Sequence, residues 1–461
     1  MNASETDLLL SFYGDDFTGS TDVMESLALN GIPTALFLVP PDAERLKRFQ
    51  LKRKVGGEQL AAFGVAGIAR SLPPAEMEPE LERVFAAIAQ VPSRFFHYKV
   101  CSTLDSSPEV GNIGLAMTVA QRHFPSAYIP FVVGAPFLNR FVVFGNLFAR
   151  IGSETFRLDR HPVMAHHPVT PMRESDVGRH LAAQSERGFV NFDLHAMDLP
   201  KEARLRAFQE QLPTEGELVI FDTLYDEQLA QVGELIYQHP SAQPQLLAGS
   251  SGVSFALARY LQAAGTVATP AQVEYAQPAD QMLAVAGSCS PVTDRQIAHV
   301  LQLGFADLPL QVDQLLDASA AESEIQRVLA AALAAISAGK SPMIYSARGP
   351  QDPSIQQMQG QLGISGAGKR IGEALGRLTR SLLEQSNLRR VMVAGGDTSG
   401  AVARALEIVA LETVCPIAPG SPLCLAHSQL ATFDGLEISL KGGQVGKDDY
   451  FEAILQGRPL S

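Results

Sequence analysis

Val391-Met392-Val393-Ala394-Gly395-Gly396-Asp397-Thr398-Ser399-Gly400-Ala401-Val402-Ala403-Arg404-Ala405-Leu406 runs from an apolar start, through a turn of small and polar residues, into a segment where Val402, Leu406 and Val409 recur at helical spacing. The pattern predicts a buried parallel strand, a tight glycine turn and a helix. Such a turn aims backbone N–H groups and the positive end of a helix dipole at one spot, and Gly395 and Gly396 let an anion reach the main chain. A phosphate suits that spot. Asp397 sets a carboxylate beside it that can hold Mg²⁺ or order the loop, while Thr398 and Ser399 bring hydroxyls that can bond a phosphate or cap the helix. The same residues equally make an ordinary tight turn, so the rest of the chain must decide.

The unit recurs. Residues 8–13 read as a first strand, which ends in Gly14-Asp15-Asp16-Phe17-Thr18-Gly19-Ser20-Thr21-Asp22 before a helix carrying Val23, Met24 and Leu27 and stopped by Gly31 and Pro33. Aspartates and hydroxyls thus gather where a strand meets its helix, the end of a parallel sheet at which α/β proteins bind ligands. They read as a site for hydroxyls or a cation, or as a helix start rich in capping residues. Adjacent Asp15 and Asp16 are more carboxylate than one cap requires.

Further strands are predicted at residues 35–39, 62–66, 95–100, 129–133, 190–194 and 218–222, with helical stretches between several of them. That alternation means an α/β fold of two domains, each with a mainly parallel sheet flanked by helices. After the fourth strand, Lys99-Val100-Cys101-Ser102-Thr103-Leu104-Asp105-Ser106-Ser107-Pro108-Glu109-Val110-Gly111-Asn112-Ile113-Gly114 offers a lysine for a carboxylate and hydroxyls for a polyol; its plain alternative is a polar surface loop. Residues 139–146 predict a short strand or hairpin, followed by a loop with His161, His166 and His167. No HExxH or CxxC accompanies these histidines, so they suit a pocket lining better than zinc, with Arg173 as an anion contact. Residues 246–253 repeat the strand, small-residue turn and helix.

Residues 266–281, rich in Ala, Pro, Gln and Thr, read as a linker between domains 1–265 and 282–461. The second domain opens with a strand running into Ser288-Cys289-Ser290-Pro291, where Ser290 caps a helix, Pro291 begins it and Ser288 stands where a phosphate or nucleotide can be met. Residues 343–349 read as another strand and its exit, and 370–383 as the helix before the Val391 strand. Ser439-Leu440-Lys441-Gly442-Gly443-Gln444-Val445-Gly446 joins a lysine to a glycine turn, a second phosphate cradle.

At 461 residues the chain exceeds one ordinary core, and 46% hydrophobic with 18% charged residues fits a soluble globular protein. Lysine and arginine number 36 against 49 acids, a net charge of -13, which argues against a general nucleic-acid or anionic-membrane binder. The basic run of Lys47, Arg48, Lys52, Arg53 and Lys54 before Gly56-Gly57 reads as a solvated helix end entering a loop. Cys101, Cys289, Cys415 and Cys424 lack CxxC spacing, no signal peptide is evident, and no apolar run is long enough for a bilayer; a reduced, cytoplasmic protein is expected. A homo-oligomer is left open.

The ordered set GDDFTGSTD (14–22), KVCSTLDSSPEVGNIG (99–114), AGSCSPVTDRQ (286–296), VAGGDTSGAVA (393–403), APGSP (418–422) and SLKGGQVG (439–446) resembles the four-carbon acid sugar kinase family over nearly the whole chain. The resemblance implies an N-terminal domain for the sugar acid and a C-terminal domain for ATP. It also implies transfer to threonate, erythronate, 3-oxo-tetronate or the branched 3-oxo-isoapionate. It would place the acid near Asp15, Asp16, Lys99, Ser102, Thr103 and Asn112, and ATP near Ser288, Gly395, Gly396, Asp397, Thr398 and Gly443. Ser20 stands where Ala is common in the family, and Asp397 where several members have Glu. Phosphoryl transfer needs charge neutralisation, in-line positioning and usually Mg²⁺. Asp16 or Asp15 would accept the substrate proton, the other would orient the hydroxyl or bind Mg²⁺, and domain closure would join the sites. No GxxxxGK[ST], kinase signature set or strand-linked GxGxxG occurs. The rival from another class is a non-catalytic sugar-acid or nucleotide sensor.

Overall fold

The computed structural model describes residues 8–54, 59–268 and 273–460, which divide into two compact units, 1–271 and 272–461. The division falls inside the stretch read as a linker. Ala276 and Ala279, however, donate backbone hydrogen bonds to Gly457 and Leu455, so that part of the stretch is tied into the second unit.

In the first unit, Leu8–Gly14 (β1), Thr34–Phe37 (β2), Ala62–Ala66 (β3), Ser93–Lys99 (β4) and Tyr128–Val132 (β5) follow one another with helices between most of them. A three-stranded antiparallel sheet comes next, Arg140–Val143 (β6), Asn146–Ile151 (β7) and Glu154–Arg157 (β8), before Phe189–Phe192 (β9), Glu217–Phe221 (β10) and Gln245–Gly249 (β11) return to the main sheet. That sheet is wholly parallel, in the order β2-β3-β1-β4-β11-β5-β10-β9. Its strands are apolar on both faces because helices cover both. Beneath one face Tyr13 stacks on Tyr98 with centroids 6.1 Å apart, and Phe96 stacks on Phe124. Parallel pairing brings the C-terminal ends of all eight strands to one edge, and the residues after β1, β3 and β4 become neighbours there.

The inserted sheet is larger than the short strand or hairpin predicted for residues 139–146, since β7 and β8 continue it to Arg157. Its first turn is pinned by buried Asp222, which accepts hydrogen bonds from the Phe144 and Gly145 amides at 2.5 and 2.9 Å.

In the second unit, Leu283–Ala286 (β12), Ala306–Pro309 (β13), Pro342–Tyr345 (β14), Arg390–Ala394 (β15) and Leu436–Lys441 pair in parallel; the last of these is β18, after Ile408–Ala418 (β16) and Ser421–Ser428 (β17). The order is β13-β14-β12-β15-β18-β17-β16, with β17 antiparallel to both its neighbours. Ser290 caps the helix Pro291–Gln302 through a 3.1 Å bond from Val292 N–H, and Pro291 opens it. The helix after β15 is shorter than its apolar spacing suggests: it ends at Ala405, Glu407 turns left-handed (φ 50°), and Val409 lies in β16. The helix expected at 370–383 is the latter part of Pro353–Glu384, interrupted by a non-helical Gly363. There Gly368, Gly372 and Gly376, one per turn, let the helix Gly396–Ala405 approach closely; a Cβ on Gly376 would stand 3.0 Å from the Ala401 carbonyl oxygen.

The basic run lies on the helix Ala43–Lys54, while the Gly56-Gly57 turn read after it lies outside the described residues. Among the described residues no cysteine is in a disulfide, and no helix is long and apolar enough to cross a membrane.

Candidate functional site

At the ligand edge of the first unit, Asp15 follows β1 and is buried. Its carboxylate accepts two bonds from the Arg70 guanidinium, Nε to Oδ2 at 3.1 Å and Nη2 to Oδ1 at 2.6 Å. Arg70 comes from the single turn Ala69–Ser71 after β3, and its amide also donates to the Asp15 carbonyl at 2.9 Å. Burial pushes the Asp15 carboxyl above the usual carboxylate range, with Arg70 the main opposing influence. Burial also works against the Arg70 charge, but the acidic groups around it, Asp15 foremost, together outweigh burial and the guanidinium holds its proton firmly.

Asp16 caps the helix Phe17–Leu29. Its Oδ1 accepts the Gly19 amide at 2.8 Å and lies 2.8 Å from Arg70 Nη2. The capping reading of the acidic turn therefore holds for Asp16, whose carboxylate also faces the Arg70 guanidinium. Ser20 fits because its hydroxyl donates to the Asp16 carbonyl at 2.6 Å and fills the space left by Gly14, where a Cβ would stand 2.0 Å from Ser20 Oγ.

Lys99 ends β4, is buried, and places Nζ 3.8 Å from Oδ2 of Asp22, the third acid of the motif. A Cβ on Gly19 would meet Asp16 Oδ1 at 2.5 Å, Lys99 Nζ at 3.1 Å and Arg70 Nη2 at 3.5 Å. Two cations and a carboxylate thus converge on a position that only glycine leaves open. The cations can bind a carboxylate, and the acids can accept from hydroxyls.

The loop after Lys99 is internally braced. Thr103 Oγ1 donates to Asp105 Oδ1 at 2.7 Å and lies 2.9 Å from Cys101 Sγ; Ser102 is half-buried. Asn112 caps the helix Ile113–His123, accepting from Leu115 N–H at 2.7 Å and donating to the Pro108 carbonyl at 3.2 Å. Gly111, at φ +62°, presses on the Arg70 turn, since a Cβ there would stand 2.6 Å from the Arg70 carbonyl oxygen. Ser106 anchors the loop to His180 and Gln184 at 2.9 Å each. The other predicted residues play different parts. Arg173 is exposed and forms no ion pair with a described residue. His161 and His167 use Nδ1 to accept amides of their own turns, and no metal-holding group of three or more His, Cys, Asp or Glu occurs among the described residues.

Sequence reasoning missed Arg70. Its one local sign is an arginine just past the end of an apolar strand, and only the adjacency of β1 and β3 gives that sign meaning.

At the matching edge of the second unit, the turns after β12, β15 and β18 interlock. A Cβ on Gly287 would stand 2.0 Å from Thr398 Oγ1, one on Gly395 3.3 Å from Ser288 N, and one on Gly443 2.3 Å from Ser288 Oγ. Ser288 Oγ accepts the Ser290 amide at 3.1 Å. Thr398 and Ser399 do not cap the helix Gly396–Ala405: the N-cap is Gly395, at φ 119°, and both hydroxyl residues sit buried within the first turns. The reason is the glycine itself, whose positive φ starts the helix before either hydroxyl and leaves them inside it. Gly396 and Asp397 remain exposed, and Gly395 N–H donates to the Lys441 carbonyl at 2.9 Å. The edge therefore offers a helix N-terminus of bare backbone, hydroxyls and the exposed Asp397 carboxylate.

Known proteins bear on both edges. Residues 10–257 match a sugar-binding N-terminal domain family and residues 283–451 a nucleotide-binding C-terminal domain family. The chain is 41% identical to a 3-oxo-isoapionate kinase of Paraburkholderia graminis, over 98% of this chain and 95% of that one. It is 30% identical to a 3-oxo-tetronate kinase of Cupriavidus necator, over 97% and 96%. The crystal structure of a Haemophilus influenzae protein superposes with a TM-score of 0.73 at 24% identity, covering 97% of this chain and 99% of that one; it supports the fold.

Proposed function

The chain belongs to the four-carbon acid sugar kinase family, and from that membership we propose how its two edges divide the work of an ATP-dependent sugar-acid kinase. The observation that carries the reading is the convergence of Arg70, Lys99 and Asp16 on the bare Cα of Gly19. Arg70 and Lys99 hold the carboxylate of the acid. Asp16 accepts the proton of the hydroxyl that receives phosphate, because Asp15 is committed to Arg70 through both oxygens whereas the Asp16 side chain is 30% exposed. Asp15 fixes the guanidinium. Ser102, Thr103 and Asn112 shape the wall of the site, the latter two through bonds within their own loop.

ATP phosphates lie on the turns of the second unit, against the N–H groups of Gly396 and Asp397, with Gly395, Ser288, Thr398 and Gly443 packed beneath and beside them. Mg²⁺ keeps much of its water and takes one or two carboxylates with phosphate oxygens, so an edge with the exposed Asp397 fits it better than a closed cage would. When bound, it shields phosphate charge.

Among candidate acids, the branched 3-oxo-isoapionate comes first, because the relative named for it shares more of this sequence than the one named for 3-oxo-tetronate. Measuring kcat/KM for both acids tests the choice; a preference of tenfold or more for the unbranched acid, roughly 1.4 kcal/mol, reverses it.

A further inference from the structure

Lys441, the last residue of β18, is 1% exposed, and no carboxylate among the described residues pairs with it. Its Nζ points at neutral oxygens: the Gly442 carbonyl at 3.2 Å, the Thr293 hydroxyl at 3.4 Å and the Gly443 carbonyl at 3.5 Å. The Tyr450 and Phe451 rings stand 5.8 and 5.7 Å away. Four charged pairs on the surrounding elements are engaged with each other. Asp294 pairs with Arg348, Arg295 with Asp448, His299 with Glu452 and Arg390 with Glu437, while the Tyr450 phenol bonds Ser421 and Ser439.

A buried ammonium with only dipoles for company is costly unless something nearby supplies negative charge. The turn above it shows where that charge can come. In a planar trans peptide the C=O and N–H point opposite ways. With the Gly442 and Gly443 carbonyls drawn in to Lys441, and Thr293 Oγ1 donating to the latter at 2.9 Å, the amides of Gly443 and Gln444 are turned outward. Neither amide has an acceptor among the described residues. This outward pair stands beside Ser288, whose Oγ lies 2.3 Å from where a Gly443 Cβ would be.

We infer that Lys441 is a positioning residue for the nucleotide phosphates, its protonated ammonium holding the Gly442–Gly443 turn with two amides presented to an anion, so that phosphate binding is coupled to uptake of a proton by this side chain. The inference rests on the kinase reading of the nucleotide edge. Burial alone lowers the Lys441 ammonium to about 7, so the free protein is divided between charged and neutral forms near neutrality, and a bound phosphate restores the charge.

The test is calorimetric titration of the full chain with ATP and Mg²⁺, without acid, from about pH 6 to 9 in buffers of different ionisation enthalpy. The expected result is constant affinity below about pH 6.5, weakening that approaches tenfold per pH unit above about pH 7.5, and fractional proton uptake near pH 7. Lys441→Met, of similar length but uncharged, binds more weakly at about pH 6.5 and loses the slope; Lys441→Arg restores affinity without it. Wild-type binding that is tight but flat with pH, or a slope unchanged in Lys441→Met, overturns the inference and leaves the kinase reading in place. The wild-type proton uptake decides the matter even if a variant fails to fold. No ATP binding at any pH overturns the reading beneath it.

Discussion

Arg70 and Asp15 lie 55 residues apart in the chain and bind each other side by side, through two hydrogen bonds of 2.6 and 3.1 Å. The pair exists because β1 and β3 are adjacent parallel strands whose following turns meet at one edge. Its bidentate form fixes the guanidinium plane, leaving Nη2 to face Asp16 as well. In the proposed site, a guanidinium held so rigidly is the group that would receive the carboxylate of the substrate.

Removing Arg70 leaves Asp15 buried and unpaired. Arg70→Ala is expected to lose about 3 kcal/mol of stability and most of its kcat/KM for the acid, while ATP affinity is retained. Asp15→Asn in that background should regain part of the stability, because it removes the stranded charge. Denaturant unfolding of both single variants and the double variant measures the coupling; strict additivity would mean that the pair is not energetically linked.

Gly19 is the position where a methyl group tests the cradle. Gly19→Ala puts a carbon 2.5 Å from Asp16 Oδ1 and 3.1 Å from Lys99 Nζ. Misplacing either group should cut kcat/KM for the acid roughly 10- to 100-fold, with ATP binding little changed. Steady-state kinetics with normal turnover in this variant would remove Gly19 from the site.

On the nucleotide edge, Gly287→Ala forces a Cβ to within 2.0 Å of Thr398 Oγ1. Such overpacking should cost about 1–3 kcal/mol and weaken ATP binding. Thr398→Ala, added to it, removes the opposing atoms and should recover stability. If the double variant is no better than Gly287→Ala alone, the two turns are not locked in this way.

Acid should loosen the first unit. Burial lowers His97 to about 3 and His180 to about 4, from an ordinary value near 6.5. Between about pH 6.5 and those values the unfolded chain takes up protons that the folded chain does not. Stability is therefore full above about pH 6.5 and falls as the pH drops, by up to about 1.4 kcal/mol per unit for each histidine. Because His180 anchors the Ser106 loop, His180→Gln should reduce this slope in chemical denaturation measured at several pH values.

What could be read beforehand and what could not follow from the range of the interactions. The turns at Gly14 to Asp16 and at Gly395 and Gly396 were legible because strand, turn and helix are consecutive, and so was the Ser290-Pro291 helix start. The predicted first six strands overlap β1 to β5 and β9, because apolar runs buried on both faces are local signals. Arg70 was not legible, since nothing near residue 70 says that β3 will pair with β1. Nor was the β16–β17 hairpin: Val409 continues the apolar spacing of the preceding helix, and only the left-handed turn at Glu407 breaks it. The capping roles of Thr398 and Ser399 failed for a related reason, as the positive φ of Gly395 cannot be seen in composition. Lys441 was visible as a charge next to glycines, but its burial without an acidic partner among the described residues was not.

The most direct measurement is ADP release from ATP and Mg²⁺ with a panel of D- and L-threonate, erythronate, the 3-oxo-tetronates and 3-oxo-isoapionate. Turnover with one acid, 3-oxo-isoapionate first, that falls by at least about 100-fold in Asp16→Asn while ATP binding persists is the predicted result. Silence across the panel from a protein that binds ATP would contradict the assignment to a sugar-acid kinase and favour a sensor. Normal turnover in Asp16→Asn would contradict the assignment of the base.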